Sequence, residues 1–556
     1  MTEKVTVTVN EGRVRGFKTK TVFSGAEYYS FLGIPYGQTT EGSARFKDPV
    51  RVKPWNHIFD ATVERTGCSQ FSLHFKKLIG SEDCLYNNIY TPKLPLKGDP
   101  LKAVIVNIHP GGYFHGSPDP TYYGAPDFLM HHDIVYVTIG YRLHVLGHLN
   151  MHMESCSGNQ CLKDIILGLQ WIKENINVFG GDPENITIMG SSSGAASVHL
   201  LLLSPMAKGL YHKAIMMGMY IFSPVLVIPR DHDTAAYDIA RCMGYEGEIE
   251  ERKKLLKFYK NVNLSTFILA RTEQYFNKTE LTVFPTSPFL PTDEPSKNTP
   301  IPLRMRELIA GTNRVPILIG FCEREGAMAL AILRAFKLSP RDAKRSTSEC
   351  FLTLIRQNIY GWGANLSIDE LKQIQKEVES FYLEGESIET APQDTLCDIL
   401  SDAALSDVYD SLINVVSADL PSSVYVYNFH YDGKLCTMKS RMAQLLEKRL
   451  QGAFHAADYS YWCYSRETAG RNMGSISPKD LEMINTFTSL LTTFAKTSNP
   501  NDYEGMKVNW KPTTPECPSH LIINDTLEAR DEVLNGKRLE FWRKLKTKFT
   551  KSSNVV

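Results

Sequence analysis

One pentapeptide constrains this chain more than any other feature: Gly190-Ser191-Ser192-Ser193-Gly194. The bare G-x-S-x-G pattern arises by chance in about one chain of this length in five, because glycine is near 7% of residues. Its flanks sharpen it. The compact apolar run Asn185–Met189 leads in, and Ala195–Leu203, apolar at helical spacing, leads out. A strand-to-helix turn this tight needs glycine on both sides, and it lifts the central hydroxyl above the edge of a sheet. The competing reading is a phosphate loop at a helix N-terminus. The chain has neither a Gly-Lys-Ser/Thr after a glycine-rich loop nor G-x-G-x-x-G, so that reading is set aside.

Other short runs extend the pattern. Lys102–Ile108, Asp133–Ile139, Val315–Ile319 and Ser423–Phe429 are rich in Val and Ile and read as strands buried on both faces. Asp164–Asn175 reads as a helix between them. Strands alternating with helices predict an α/β chain with a large, mostly parallel central sheet flanked by helices. At the start, Val5, Val7 and Val9 alternate with threonines, predicting N-terminal antiparallel strands turning at Gly12. No repeat or long linker divides the chain, so residues 1–556 read as a single domain. Residues 230–310, with the Pro-rich stretch Phe284–Pro302, read as insertions that shape a pocket without a second core.

Composition narrows the function. Lys plus Arg and Asp plus Glu are both 61, so no basic field exists to hold nucleic acid. The longest apolar run, Ala214–Pro229, is interrupted and shorter than the ~20 residues that span a bilayer. Met1–Val5 opens no apolar leader, which predicts a cytoplasmic protein with mostly reduced, buried cysteines. The five N-x-[ST] sequons then read as chance. Between Lys537 and Lys551 seven cations face one acid, Glu540, while Leu539, Trp542, Leu545 and Phe549 recur at helical spacing. This predicts a basic C-terminal helix docked by its apolar stripe, with contact to an anionic membrane surface as the second reading.

A serine hydroxyl needs a base, and the base needs an orienting acid, in chain order Ser, Asp/Glu, His for this architecture. Downstream histidines are His199, His212, His232, His430, His455 and His520, and spacing does not choose among them. Glu325 follows a strand and precedes Gly326, with Glu323 its nearest rival. The oxyanion donors fall to the Ser193 N–H and to the glycines of His109-Pro110-Gly111-Gly112-Tyr113, which follows a strand. Met216–Ile228 reads equally as acyl-pocket lining or plain core. His115, Tyr122 and Tyr123 are candidates for the mouth of the site. His144, His148 and His152 have the spacing of a metal-binding helix face, but Gly147 among them argues against it.

Together these residues resemble the type-B carboxylesterase (cholinesterase-like) family, and within it insect α-esterases. The resemblance covers nearly the whole chain. It rests on Phe31–Gly37, Arg45-Phe46, Ser81–Tyr86, the His109–Gly112 loop, Tyr141–Leu143, Trp171–Ile176, Phe179–Pro183, the Gly190–Gly194 elbow, Glu325-Gly326 and His455-Ala456. It implies an α/β-hydrolase fold and a serine esterase of small hydrophobic esters, with no cofactor or metal. Its triad would be Ser192, Glu325 and His455, and its oxyanion donors Gly111, Gly112 and Ser193. It also implies a Cys68–Cys84 disulfide and ion pairs Arg45–Glu82 and Arg142–Asp164. Departures surround the triad. Pro110 replaces the first of three glycines, Ser191 and Ser193 replace Glu and Ala of the usual elbow, Gly140 and His144 bracket Tyr-Arg-Leu in place of Asn and Gly, and Ala457 replaces an acid, with Asp458 following. The alternative they raise is a weak or inactive member that binds or sequesters hydrophobic esters.

Overall fold

The computed structural model describes residues 3–22, 24–72, 77–120, 124–218, 232–270, 291–292, 313–330, 346–358, 366–417, 423–436, 439, 443, 446, 451–464 and 476–550. One 13-stranded sheet gathers the chain from Lys4 to Arg530. Its order is Lys4–Val9, Gly12–Lys20, Glu27–Pro35, Tyr86–Thr91, Val135–Ile139, Lys102–Ile108, Gly181–Ser191, Lys213–Met217, Ile317–Cys322, Val424–Phe429, His520–Ile523 and Leu527–Arg530. A short strand, Ile58–Asp60, pairs beside Gly12–Lys20. The seven strands from Val135–Ile139 to His520–Ile523 are parallel, and both ends of the sheet are antiparallel. The N-terminal hairpin pairs Val9 with Gly12, as the alternation predicts.

Burial on both faces explains the unbroken apolar runs. Along Lys102–Ile108, Val104, Val106 and Ile108 enter one core, while Ala103 and Ile105 enter the other. The first core is closed by the helices Gln160–Asn175 and Ser193–Leu203, through residues such as Leu162, Ile166, Leu169, Val198 and Leu201. The second is closed by the helix Pro478–Thr497, through Ile484, Phe487, Leu491 and Phe494. Helices therefore flank both faces of the sheet.

Some expectations change. The elbow strand runs Gly181–Ser191, longer than the Asn185–Met189 run, because its ladder with Lys102–Ile108 begins at Gly181. Met216 and Met217 lie in a central strand, Lys213–Met217, wholly buried. They are core, and residues 219–228 of the suggested pocket stretch lie outside the described residues. The helices His232–Cys242, Arg252–Asn261 and Leu264–Ala270 form an apolar cluster through Ile239, Leu255, Tyr259 and Phe267. That cluster also takes Val145, Leu149 and Met151, so this region carries more core than its composition predicts. Most of Phe284–Pro302 lies outside the described residues.

The terminal helix, Gly536–Thr550, docks by its stripe: Leu539, Trp542, Leu545 and Phe549 are all at most 3% exposed. Its cations meet acids, with Arg538 3.0 Å from Asp402 and Lys548 paired with Glu377. Among the described residues no helix is long and apolar enough to cross a membrane.

Candidate active site

The site lies at the C-terminal ends of the parallel strands, where open α/β sheets place their ligands. Strand Gly181–Ser191 ends and helix Ser193–Leu203 begins with only Ser192 between them, at φ 53° and ψ −125°. An L residue rarely adopts this conformation, and such strain persists where the surroundings enforce it. They do so sterically. A Cβ on Gly190 would lie 2.3 Å from the Gly194 carbonyl carbon, and one on Gly194 would lie 2.1 Å from the Ile108 oxygen. The Ser192 N–H donates to the Met217 carbonyl at 2.9 Å, fastening the turn to the neighbouring strand. Ser191, where the family usually carries an acid, is fully buried, and its Oγ has no hydrogen-bond partner among the described residues.

Glu325 follows the strand Ile317–Cys322 and accepts the Cys322 N–H at 2.9 Å on Oε1. The adjacent Arg324 N–H donates to Ala453 O at 2.9 Å, which draws the 451–456 loop alongside. His455 then stands with Nδ1 2.6 Å from Glu325 Oε2, the two side chains 5% and 8% exposed. A carboxylate at this distance holds the proton on Nδ1 and leaves Nε2 with the basic lone pair. Burial disfavours the charged imidazolium, but the Glu325 carboxylate, by charge and hydrogen bond, together with the Asp458 charge, outweighs it and raises the His455 pKa above the ordinary value.

Gly218 links the two sides. It follows Met217, whose carbonyl holds the Ser192 N–H, and a Cβ on Gly218 would lie 3.3 Å from both His455 Nδ1 and Glu325 Oε1. The serine turn and the histidine–glutamate pair therefore meet across one residue. Glu323, the rival acid, instead lies 3.9 Å from His430 Nδ1. His199 is buried in the elbow helix, and burial pulls its pKa down to about 3; His212 Nδ1 accepts the Ile186 N–H at 3.1 Å; His520 Nδ1 lies 3.1 Å from Glu532 O. His232 begins the helix His232–Cys242.

Gly111 and Gly112 form a tight turn beyond the strand Lys102–Ile108, with φ of 130° and 62°. The Gly111 carbonyl accepts the N–H groups of Phe114 and His115, both at 3.1 Å. A Cβ on Gly111 would fall 1.8 Å from His115 O, so no other residue fits. Gly194 abuts Ile108, which brings this loop and the first turn of the elbow helix together. The first N–H groups of a helix, Ser193 among them here, lack intrahelical partners. His109 is stacked on Tyr141 at 4.2 Å, and burial pulls its pKa down to about 3, so it is neutral. Pro110 contributes no N–H, and its carbonyl lies 2.9 Å from His109 Nδ1. His115 sits half-buried beside this turn, while Tyr122 and Tyr123 lie outside the described residues.

Cys68 and Cys84 are joined in a disulfide, Cα atoms 4.9 Å apart. Arg45 and Glu82 form a two-point ion pair, as do Arg142 and Asp164, the latter with contacts of 2.6 and 2.8 Å. His144 and His148 occupy a five-residue helix, and His152 leaves on the following strand, so the three share no helix face.

Sequence reasoning missed what stands behind His455. Asp458, fully buried, accepts the Tyr427 hydroxyl at 2.7 Å and the Tyr459 N–H at 2.8 Å. Burial pushes its pKa up to about 6. The acid three residues after a histidine was visible, but nothing in the sequence joined it to a tyrosine 31 positions earlier.

This arrangement, a strained serine turn beside a histidine–carboxylate pair above a mostly parallel sheet, defines an α/β hydrolase. The carboxylesterase family profile matches residues 3–542. Esterase E4 of Myzus persicae is 30% identical over 95% of this chain and 93% of its own length. Mouse (Mus musculus) liver carboxylesterase 1 is 28% identical over 94% and 89%. The crystal structure of juvenile hormone esterase from Manduca sexta, with OTFP covalently attached, superposes with a TM-score of 0.82 at 25% identity, covering 98% of this chain and 100% of that one. The chain belongs to the carboxylesterase family, and it is a carboxylic ester hydrolase.

Proposed function

We propose that Ser192, His455 and Glu325 are the catalytic triad of a serine carboxylesterase for small hydrophobic esters, built as a single domain. Ser192 Oγ attacks the ester carbonyl as His455 Nε2 takes its proton, and Glu325 steadies the imidazolium. The N–H groups of Gly111, Gly112 and Ser193 receive the oxyanion, where one donor is worth about 100- to 1,000-fold in rate. His455 returns the proton to the departing alcohol, water adds to the acyl-enzyme by the same route, and the acid leaves. The chemistry calls for no cofactor or metal. The observation that carries this reading is the 2.6 Å His455–Glu325 contact against Gly218, next to the carbonyl that holds Ser192. The hydrophobic substrate class follows relatives named juvenile hormone esterase. Ser192→Ala should lower turnover of a p-nitrophenyl ester by about 10⁵-fold or more. Turnover at the wild-type rate would end the assignment.

Location belongs to the same proposal. Nine free cysteines, one of them the exposed Cys517, fit the reducing cytoplasm, while Cys68–Cys84 pulls towards an oxidising compartment. Cell fractionation with thiol alkylation decides between them. Contact of the terminal helix with an anionic lipid surface has little to draw on, because the stripe a membrane would take is buried in the protein. Sedimentation with anionic liposomes, with and without residues 537–551, tests it.

A further inference from the structure

The loop that carries Gly111 and Gly112 closes on itself at Gly116, a residue with φ 121°. A Cβ there would fall 2.2 Å from His109 Nδ1 and 2.4 Å from Pro110 O. Gly116 thus touches the two residues that enter the turn, and its position sets how tightly the turn is drawn. One side chain holds it. Gln70, 4% exposed, donates from Nε2 to Gly116 O at 2.7 Å and accepts the Gly116 N–H on Oε1 at 2.8 Å. The same Nε2 donates to Cys68 O at 3.0 Å. A primary amide matches a peptide group donor to acceptor, so both backbone polar groups of Gly116 are satisfied by one rigid partner. The anchor is fixed in turn: Gln70 begins a short strand paired with Lys77–Ile79, and Ser69 donates its N–H to Ser81 O at 3.0 Å. The loops also pack directly, since a Cβ on Gly67 would meet Ser117 Oγ at 2.6 Å.

We propose that Gln70 is a positioning residue for the oxyanion hole: it clamps Gly116 and so holds the N–H groups of Gly111 and Gly112 where the developing charge appears. Pro110 gives the clamp its importance. A proline in place of the first glycine stiffens the entry to the turn, and a stiff entry leaves the closing point to set the glycines. This inference rests on the oxyanion role given above to Gly111 and Gly112. Oxyanion donors act on the transition state more than on bound substrate, so loss of their alignment lowers kcat and leaves KM nearly unchanged.

The test compares wild type, Gln70→Met, which keeps the volume and removes all three hydrogen bonds, and Gln70→Asn, which keeps the amide but draws it back from Gly116 by one methylene. Each is assayed for p-nitrophenyl ester kinetics and for affinity towards a trifluoromethyl ketone, which adds the serine to form a tetrahedral oxyanion. Gln70→Met should lower kcat by roughly 10- to 100-fold, less than a donor lost outright, with KM within about twofold and ketone affinity reduced by a similar factor. Gln70→Asn should fall between Gln70→Met and wild type, and the pH dependence of kcat/KM should not move in either variant, because no charge is added and His455 is untouched. If Gln70→Met does not fold, Gln70→Asn carries the same readings. A kcat within about twofold of wild type, or a raised KM with kcat unchanged, overturns the clamp. Absence of turnover in the wild type would instead overturn the triad assignment beneath it.

Discussion

The two sides of the site are held together over very different distances along the chain. On the serine side, Gly190, Ser192 and Gly194 lie within five residues, and one strand and one helix enforce the turn. On the base side, His455 and Glu325 are 130 positions apart and meet through backbone contacts between two loops. The serine side is rigid because any added atom collides with backbone. The base side is held by hydrogen bonds and charge in a buried setting, so it tunes a proton affinity as well as a position. Substitutions on the first side should therefore act through shape, and those on the second through rate and pH.

The largest effect is expected at Gly194→Ala. Its Cβ would lie 2.1 Å from a backbone oxygen of the neighbouring strand, which cannot move aside as a side chain would. Overpacking against backbone should cost about 3 kcal/mol or more and displace the elbow. Thermal unfolding with an ester assay should find a destabilised protein with no measurable turnover; a stable, active variant would break the claim that shape rules this side. Glu325→Gln comes next. It keeps the volume but removes the charge that steadies the imidazolium, and should lower kcat by about 10³- to 10⁴-fold with the melting point nearly unchanged.

Smaller and more specific is Asp458→Asn. The Asp458 charge adds to that of Glu325 in raising the His455 pKa. The base works when neutral, so activity rises with pH through a His455 pKa set above its ordinary value of 6.5. Removing the Asp458 charge should move the acid limb of the kcat/KM profile to lower pH, with a plateau reduced only severalfold. A limb that stays in place would mean Asp458 is structural alone.

The same contrast accounts for what could be read from residues in order. The elbow, the Gly111-Gly112 turn and the strand Lys102–Ile108 are local patterns, and they stand where their spacing puts them. The strand Lys213–Met217 was hidden because it runs into the longer apolar stretch Ala214–Pro229, in which composition marks no boundary at Met217. Choosing His455 and Glu325 from six histidines and two glutamates needed the family resemblance, since no periodicity spans 130 residues. The Tyr427–Asp458 bond and the grip of Gln70 on Gly116 are likewise long-range, and no local pattern carries them. The terminal helix was legible for the opposite reason: its stripe of Leu539, Trp542, Leu545 and Phe549 follows one helical period, and all four residues are buried.

The central claim is that Ser192 is an activated nucleophile. It is tested most directly by treating the purified protein with a fluorophosphonate and measuring its intact mass, with Ser192→Ala as control. A single adduct on the wild type and none on the variant is the expected result. An unmodified wild type, or equal labelling of both, would contradict it.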